Sequence, residues 1–128
     1  MVAPIIPALN DHEIEAILSA AKTVGVQQAG FVMLRLPLEL KELFREWLAT
    51  EMPDRAQRVL HLLQSMHGGR DYMAAFGTRG RGTGPYADQA AMRFRLAAKR
   101  LGLNAHRLSL RTDLFEPPIL AGTQLRLL

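Results

Sequence analysis

The chain of 128 residues contains no cysteine. Disulfides, thiolate zinc sites, cysteine nucleophiles and cysteine-ligated iron–sulfur clusters are therefore excluded within it. No apolar run approaches the ~20 residues of a membrane-spanning helix. The N-terminus lacks a basic segment followed by an uninterrupted apolar core, so no secretory signal is expected and the cytoplasm is the default compartment. No Gly-Lys-Ser/Thr closes a glycine-rich stretch, which excludes a P-loop. The four histidines, His12, His61, His67 and His106, lack metal spacing: His61 and His67 stand six apart, not the four that would put both imidazoles on one helix face. They read as surface or structural residues. Asp54, Asp71 and Asp88 show no catalytic spacing, and no serine lies in a nucleophile-like context.

What is present is an ordinary globular composition, 48% hydrophobic and 22% charged, at a length that suits one domain. Such a chain can bury roughly 70% of the surface its unfolded form exposes. The net charge of +4 hides an asymmetry. Residues 1–52 hold seven acidic and four basic side chains, whereas residues 53–128 hold twelve basic and five acidic ones. The basic part is compatible with a polyanion partner without naming one.

Along the chain, Val2-Ala-Pro-Ile-Ile-Pro7 reads as a strand that Pro4 and Pro7 confine to a sheet edge. Asn10 with Glu13 predicts a capping box, and Leu9 with Ile14 a hydrophobic staple. Ile14, Ile17, Leu18, Ala21 and Val24 then share one helical face, closed by Gly25. Ala29 to Leu36 is a nearly continuous apolar run and predicts a strand covered on both faces, as in parallel sheets. Residues 1–37 thus form a βαβ unit. Residues 38–128 form a helical extension within the same compact unit. Its first helix has Leu40, Leu43, Phe44, Trp47 and Leu48 on one face. Its second starts at Pro53 and buries Ala56, Val59, Leu60, Leu63 and Met66. Its last starts at Pro85, presents Ala87, Ala90, Ala91, Phe94, Ala98 and Leu101, and stops at Gly102. Residues 113–118 read as an extended docking segment or a loose end. The expected class is α/β, helix-rich: one βαβ unit followed by about three helices, its strands weakly ordered or paired between chains.

Between the last two helices lies a glycine- and arginine-rich loop, residues 67–86. Gly82-Thr-Gly84-Pro-Tyr-Ala87 fits a loose GxGxxA pattern, but no convincing strand precedes it and Pro85 removes an amide that an anion would use. Arg70, Arg79, Arg81, Arg93 and Arg100, interleaved with Tyr72 and Tyr86, are candidates for gripping a phosphate backbone and stacking on bases. The plainer reading of the same residues is a solvated basic face beside aromatic core.

Several segments in order resemble radical S-adenosylmethionine proteins, in the uncharacterised bacterial branch related to spore photoproduct lyase and labelled DNA-repair-photolyase-like. They are Val2 to Glu13, Val32-Met-Leu-Arg-Leu-Pro37, Leu43-Phe-Arg-Glu-Trp-Leu48, Pro53-Asp54, Gly69-Arg-Asp-Tyr72, Phe76-Gly-Thr-Arg79, Arg81-Gly-Thr-Gly-Pro-Tyr-Ala87 and Phe115-Glu-Pro-Pro118. The resemblance implies that residues 1–37 correspond to the last two strands of a partial TIM-type barrel and the helix between them. It implies a cofactor-lining role for Ile6, Ala8, Asn10 and Asp11, and places Leu34, Arg35 and Leu36 near the adenine. Ala8 stands where the family commonly has glycine. The family holds a 4Fe–4S cluster through a CxxxCxxC motif that this chain does not contain. The chain is therefore expected to be a C-terminal part of such a protein, inactive alone, whose partner is the missing N-terminal part of the barrel. S-adenosylmethionine and the cluster are implied for the parent only. The alternative expectation is a stand-alone nucleic-acid-binding module using the basic loop and last helix. A blander one is self-association through an unpaired sheet edge.

Overall fold

The structure, a computed structural model, describes residues 1–73, 75–106, 109 and 111–117. Pro118, the end of the expected docking segment and of the last resembling motif, lies outside them. Strand β1 (Val2–Ile5) leads through a short 3-10 turn (Asp11–Glu13) into helix α1 (Ile14–Thr23), and strand β2 (Phe31–Met33) follows. Three more helices complete the described residues: α2 (Leu40–Glu51), α3 (Pro53–Ser65) and α4 (Pro85–Arg100). The class is α/β and helix-rich, with a parallel strand pair followed by helices. None of these helices is long and apolar enough to cross a membrane.

β1 and β2 pair in parallel within the one chain, which corrects the expectation of strands weakly ordered or paired between chains. The pairing of Val2 with Phe31 and of Ile5 with Met33 spends one more residue on β1 than on β2. In a regular strand, Val2 and Ile5 would point to opposite faces. The extra residue lets both be buried while Ala3 and Pro4 stay exposed. Pro4 thus sits where no ladder bond needs its missing N–H. The second strand is shorter than the Ala29–Leu36 run predicts. The chain remains extended beyond Met33, and Leu36 is buried without a strand partner.

The ends of the helices follow their glycines more closely than their caps. Gly25 and Gly102 both take positive φ. Behind each, two backbone bonds close the last turn: Gly25 N–H to Lys22 and Val26 N–H to Ala21, then Gly102 N–H to Lys99 and Leu103 N–H to Ala98. Asn10 does not cap α1. Its carboxamide turns back and clamps the end of β1, so the capping box does not form. Asn104 similarly clips the end of α4 to Ala29 ahead of β2, through Ala29 N–H to Oδ1 at 2.8 Å and Nδ2–H to the Ala29 carbonyl at 2.9 Å.

One continuous core runs from Val2 and Ile5 through Ile14, Leu18 and Met33 to Val59, Leu63, Met66 and Phe94. α1 packs on β1 and α4, and α2 packs on α3. Phe94 meets Phe31 at 4.9 Å between ring centroids. Two apolar faces are covered less than their periodicity predicts. On α1, Ile17 and Val24 are exposed. On α2, only Leu48 is buried, whereas Leu40, Leu43 and Trp47 lie open beside a half-buried Phe44. The heptad-like pattern marks a helix but does not say that both sides of its stripe find a neighbour.

The glycine loop packs onto the sheet. Met33 N–H donates to the Gly80 carbonyl at 2.8 Å, so the loop occupies part of the outer edge of β2. Gly80 is buried at φ +78°, and a Cβ there would lie 2.9 Å from Val32 Cγ1. Gly80→Ala is expected to cost about 2 kcal/mol, left-handed strain plus overlap. Gly77→Ala, at φ +88° with nothing near its Cβ, should show the strain alone. Urea midpoints of both variants, and of Gly80→Ala with Val32→Ala, check this. Equal losses at Gly77 and Gly80 would refute the close approach.

Candidate functional site

In barrels and open α/β sheets, ligands bind at the carboxyl ends of the parallel strands, among the loops that lead out of them. In this chain that end is formed by residues 6–11 after β1 and residues 34–36 after β2. After Ile5 the backbone reverses in a tight turn, with the Ile6 carbonyl accepting from Leu9 N–H and Asn10 N–H, both at 3.2 Å. Ala8 takes φ +58°, a left-handed conformation in which a non-glycine residue is strained. Asn10 holds this turn closed: its Oδ1 accepts from Ile6 N–H at 2.7 Å and its Nδ2 donates to the Pro4 carbonyl at 3.0 Å.

The turn is tied to α4 by one phenol. Ala8 N–H donates to Tyr86 Oη at 3.1 Å, and Tyr86 O–H donates to Asp11 Oδ2 at 2.6 Å. Burial, reinforced by the carboxylate that accepts its proton, pushes the Tyr86 phenol above the usual tyrosine range. It therefore remains a donor throughout the neutral range. Arg93, further along α4, grips Glu15 with two bonds, Nε to Oε1 at 2.8 Å and Nη2 to Oε2 at 2.6 Å. It also stands 3.9 Å from Asp11 Oδ2. The Arg93 guanidinium holds the Glu15 carboxyl below the usual range, and Glu15 raises Arg93 in return.

From the β2 side, Leu34 N–H donates to the Ile5 carbonyl at 2.9 Å, which keeps the two strand ends together. Arg35 Nε donates to Tyr72 Oη at 3.2 Å. Tyr72 is buried and lies against His67, ring centroids 5.5 Å apart. His67, also buried, has Nδ1 at 2.8 Å from the Leu63 carbonyl. A carbonyl can only accept, so Nδ1 carries the proton. Nε2 faces no partner among the described residues. Nearby, Asp71 accepts from Gln64 at 2.9 Å and from Arg45 at 2.6 and 3.1 Å. The Gln64 bond, helped by Arg45, depresses its carboxyl.

The sequence-derived residues thus divide. Ile6, Ala8, Asn10 and Asp11 follow β1, and Leu34, Arg35 and Leu36 follow β2, at the carboxyl ends of the two paired strands. Of the loop and helix candidates, Tyr72 and Tyr86 have their hydroxyls bonded inside the chain, and Tyr72 is buried and offers no stacking face, whereas Tyr86 is half-buried. Arg93 is committed to Glu15. Arg70, Arg79, Arg81 and Arg100 are exposed. Arg79 lies over the Phe76 ring at 5.6 Å, and that ring is 93% exposed. Glu15 was not legible as a partner of Arg93, because the pairing joins helices far apart in the sequence. Among the described residues no group of three His, Cys, Asp or Glu could hold a metal ion. No family model matches the chain, and no characterised protein or solved structure does either.

Two outcomes follow from this geometry. Tyr86→Phe leaves the Ala8 N–H without its acceptor and Asp11 without its donor. It is expected to lower stability by about 1–3 kcal/mol and to speed hydrogen exchange at Ala8. An unchanged exchange rate there would refute the bridge. Glu15 has a depressed folded-state value, so its contribution is present above the unfolded value near 4.3 and is lost as pH falls through the folded one. With the pair about one-third exposed, this amounts to about 0.5–1 kcal/mol. Glu15→Gln should be less stable than the native chain at pH 7, and the difference should shrink as the pH falls through the folded-state value, measured by urea denaturation at a series of pH values.

Proposed function

We propose that residues 1–37 are the closing strand–helix–strand segment of a radical S-adenosylmethionine barrel, and that the chain acts only together with the cluster-bearing part of that barrel. The observation that carries this reading is a gathering of residues. All seven positions singled out by the resemblance lie at the carboxyl ends of two adjacent parallel strands, where barrel and open α/β folds seat their ligands. The outer edge of β1 also has no strand partner among the described residues, which leaves room for a preceding strand.

The two groups that the family uses fit this chain differently. The cluster does not fit, since there is no thiolate to hold it, and no step is derived through it. The nucleoside fits as a body against a wall. Ile6 and Leu34, both half-buried, supply apolar surface, and the turn at Ala8 supplies backbone, whereas Leu36 belongs to the core. Asn10 and Asp11 contribute by holding that turn, because their side chains are already bonded to Ile6, Pro4 and Tyr86. When bound, the cofactor supplies the sulfonium carbon–sulfur bond that the complete enzyme breaks. The residues of this chain position the nucleoside and keep water from the strand ends.

S-adenosylhomocysteine, which keeps the nucleoside without the sulfonium, tests the reading. Titrated into the chain, it should shift the backbone amide signals of Ile6, Leu34, Arg35 and Leu36, and Leu34→Asp, at a half-buried position, should abolish the response without changing the melting temperature. Saturable shifts elsewhere, with these four unmoved, would overturn it.

A further inference from the structure

A second concave site lies away from the strand ends and shares no residue with them. Phe31 of β2, Arg81 and Gly82 of the glycine loop, and Ala87, Asp88 and Arg95 of α4 surround a cavity of about 330 Å³. Arg81 and Arg95, both exposed, line this one small space from the loop and from α4. Like charges held close repel, and neighbouring carboxylates ordinarily relieve this. Among the described residues, Arg45, Arg93 and Arg111 each have such a carboxylate, whereas Arg81, Arg95 and Asp88 form no ion pair within 4.0 Å.

The walls are held from both sides. The Gly80 carbonyl is fixed to Met33 N–H at 2.8 Å. Thr83 donates to the Met66 carbonyl from its N–H at 3.0 Å and its hydroxyl at 3.2 Å. Between these two anchors, Gly82 passes so near Met66 and Ala87 that a Cβ would meet them at 3.1 and 3.4 Å. Arg81 is therefore carried on a short, pinned stretch of backbone. Arg95 follows Phe94, which packs on Phe31. Cations held in place before a ligand arrives bind it with less ordering cost.

We infer that this cavity binds the phosphate ester of a small hydroxyl-bearing molecule, with the phosphate between Arg81 and Arg95 and a ligand hydroxyl donated to Asp88. The guanidinium fork matches phosphate oxygens in pairs. The carboxylate of Asp88 repels the phosphate of either ligand, but only the ester has a hydroxyl on carbon that can donate to Asp88 while the phosphate stays apart beside the arginines, so Asp88 favours the ester over inorganic phosphate. The volume lies at the low end for ligand pockets, which restricts the occupant to something small. The site is built from side chains and does not use the amides at the start of α4, where Pro85 has no N–H to offer. It stands independently of the nucleoside reading of the strand ends.

Ribose 5-phosphate, inorganic phosphate and a single-stranded oligothymidylate, each titrated into the full chain at low ionic strength, test the site. Amide shifts at Phe31, Gly82, Asp88 and Ala91 report it. Ribose 5-phosphate should saturate these shifts and bind more tightly than inorganic phosphate. Arg81→Gln and Arg95→Gln should each weaken it by about tenfold or more, the usual worth of a hydrogen bond to a charged group. Arg79→Gln, on the same loop but outside the cavity, should leave binding within about twofold. Asp88→Asn should remove the preference for the ester. Unchanged thermal melting of each variant separates lost binding from lost folding. Absence of saturation, or equal weakening by Arg79→Gln, would overturn the proposal. Tighter binding of the oligothymidylate through the same amides would also overturn it, in favour of a nucleic-acid backbone.

Discussion

The contact between Gly80 and β2 is the constraint on which the rest of the molecule depends. A two-stranded parallel sheet has two open edges and too little surface to hold its own register. Here the Met33 N–H, which would otherwise point into solvent on the outer side of β2, is taken by the carbonyl of a loop residue. The loop can come that near only because residue 80 has no Cβ to strike Val32. Once Gly80 is seated, the direction of Arg81 and Gly82 is set, and Thr83 reaches the end of α3. Thr83 leads directly to the start of α4. The glycine loop is therefore the piece that joins sheet, α3 and α4 into one core.

The polar residues at the strand ends show how structure and ligand chemistry compete for the same groups. Asn10 and Asp11 have the side chains that a ligand would use, yet each is already bonded within the chain, the first to Ile6 and Pro4 and the second to Tyr86. An uncovered backbone turn at Ala8 needs those bonds, because an unsatisfied N–H in a half-buried place costs as much as a hydrogen bond is worth. The basic surplus of residues 53–128 divides in the same way. Arg93 and Arg45 are bound to carboxylates supplied by distant elements and act as ties between them. Arg81 and Arg95 are not, and both line one cavity.

Much of the fold was legible because it rests on local rules. Gly25 and Gly102 end their helices with the bonds that their positions in the sequence imply. Pro53 and Pro85 open α3 and α4, and the 3.6-residue period of Val59, Leu63 and Met66 points to the side of α3 that is buried. Other readings failed where a local signal had two physical outlets. Asn10 is as good a clamp for a turn as it is a cap for a helix, and the bulged end of β1 offered it the better partners. Leu40, Leu43 and Trp47 have the spacing of a core face, but α2 packs chiefly on α3 and leaves them open.

The amino-acid order by itself determined the helix boundaries set by glycine and proline, the absence of thiolate chemistry and the basic character of the second part. Each depends on residues that are neighbours in the chain or on composition alone. Only the tertiary structure decided that the two strands pair within the chain, which charges are neutralised, which tyrosine hydroxyls are bonded inside and which arginines line a common cavity. Those outcomes depend on pairs such as Glu15 with Arg93, Ala8 with Tyr86, and Gly80 with Met33. Their separation along the chain carries no local preference, and they come together only when the apolar surfaces between them are buried.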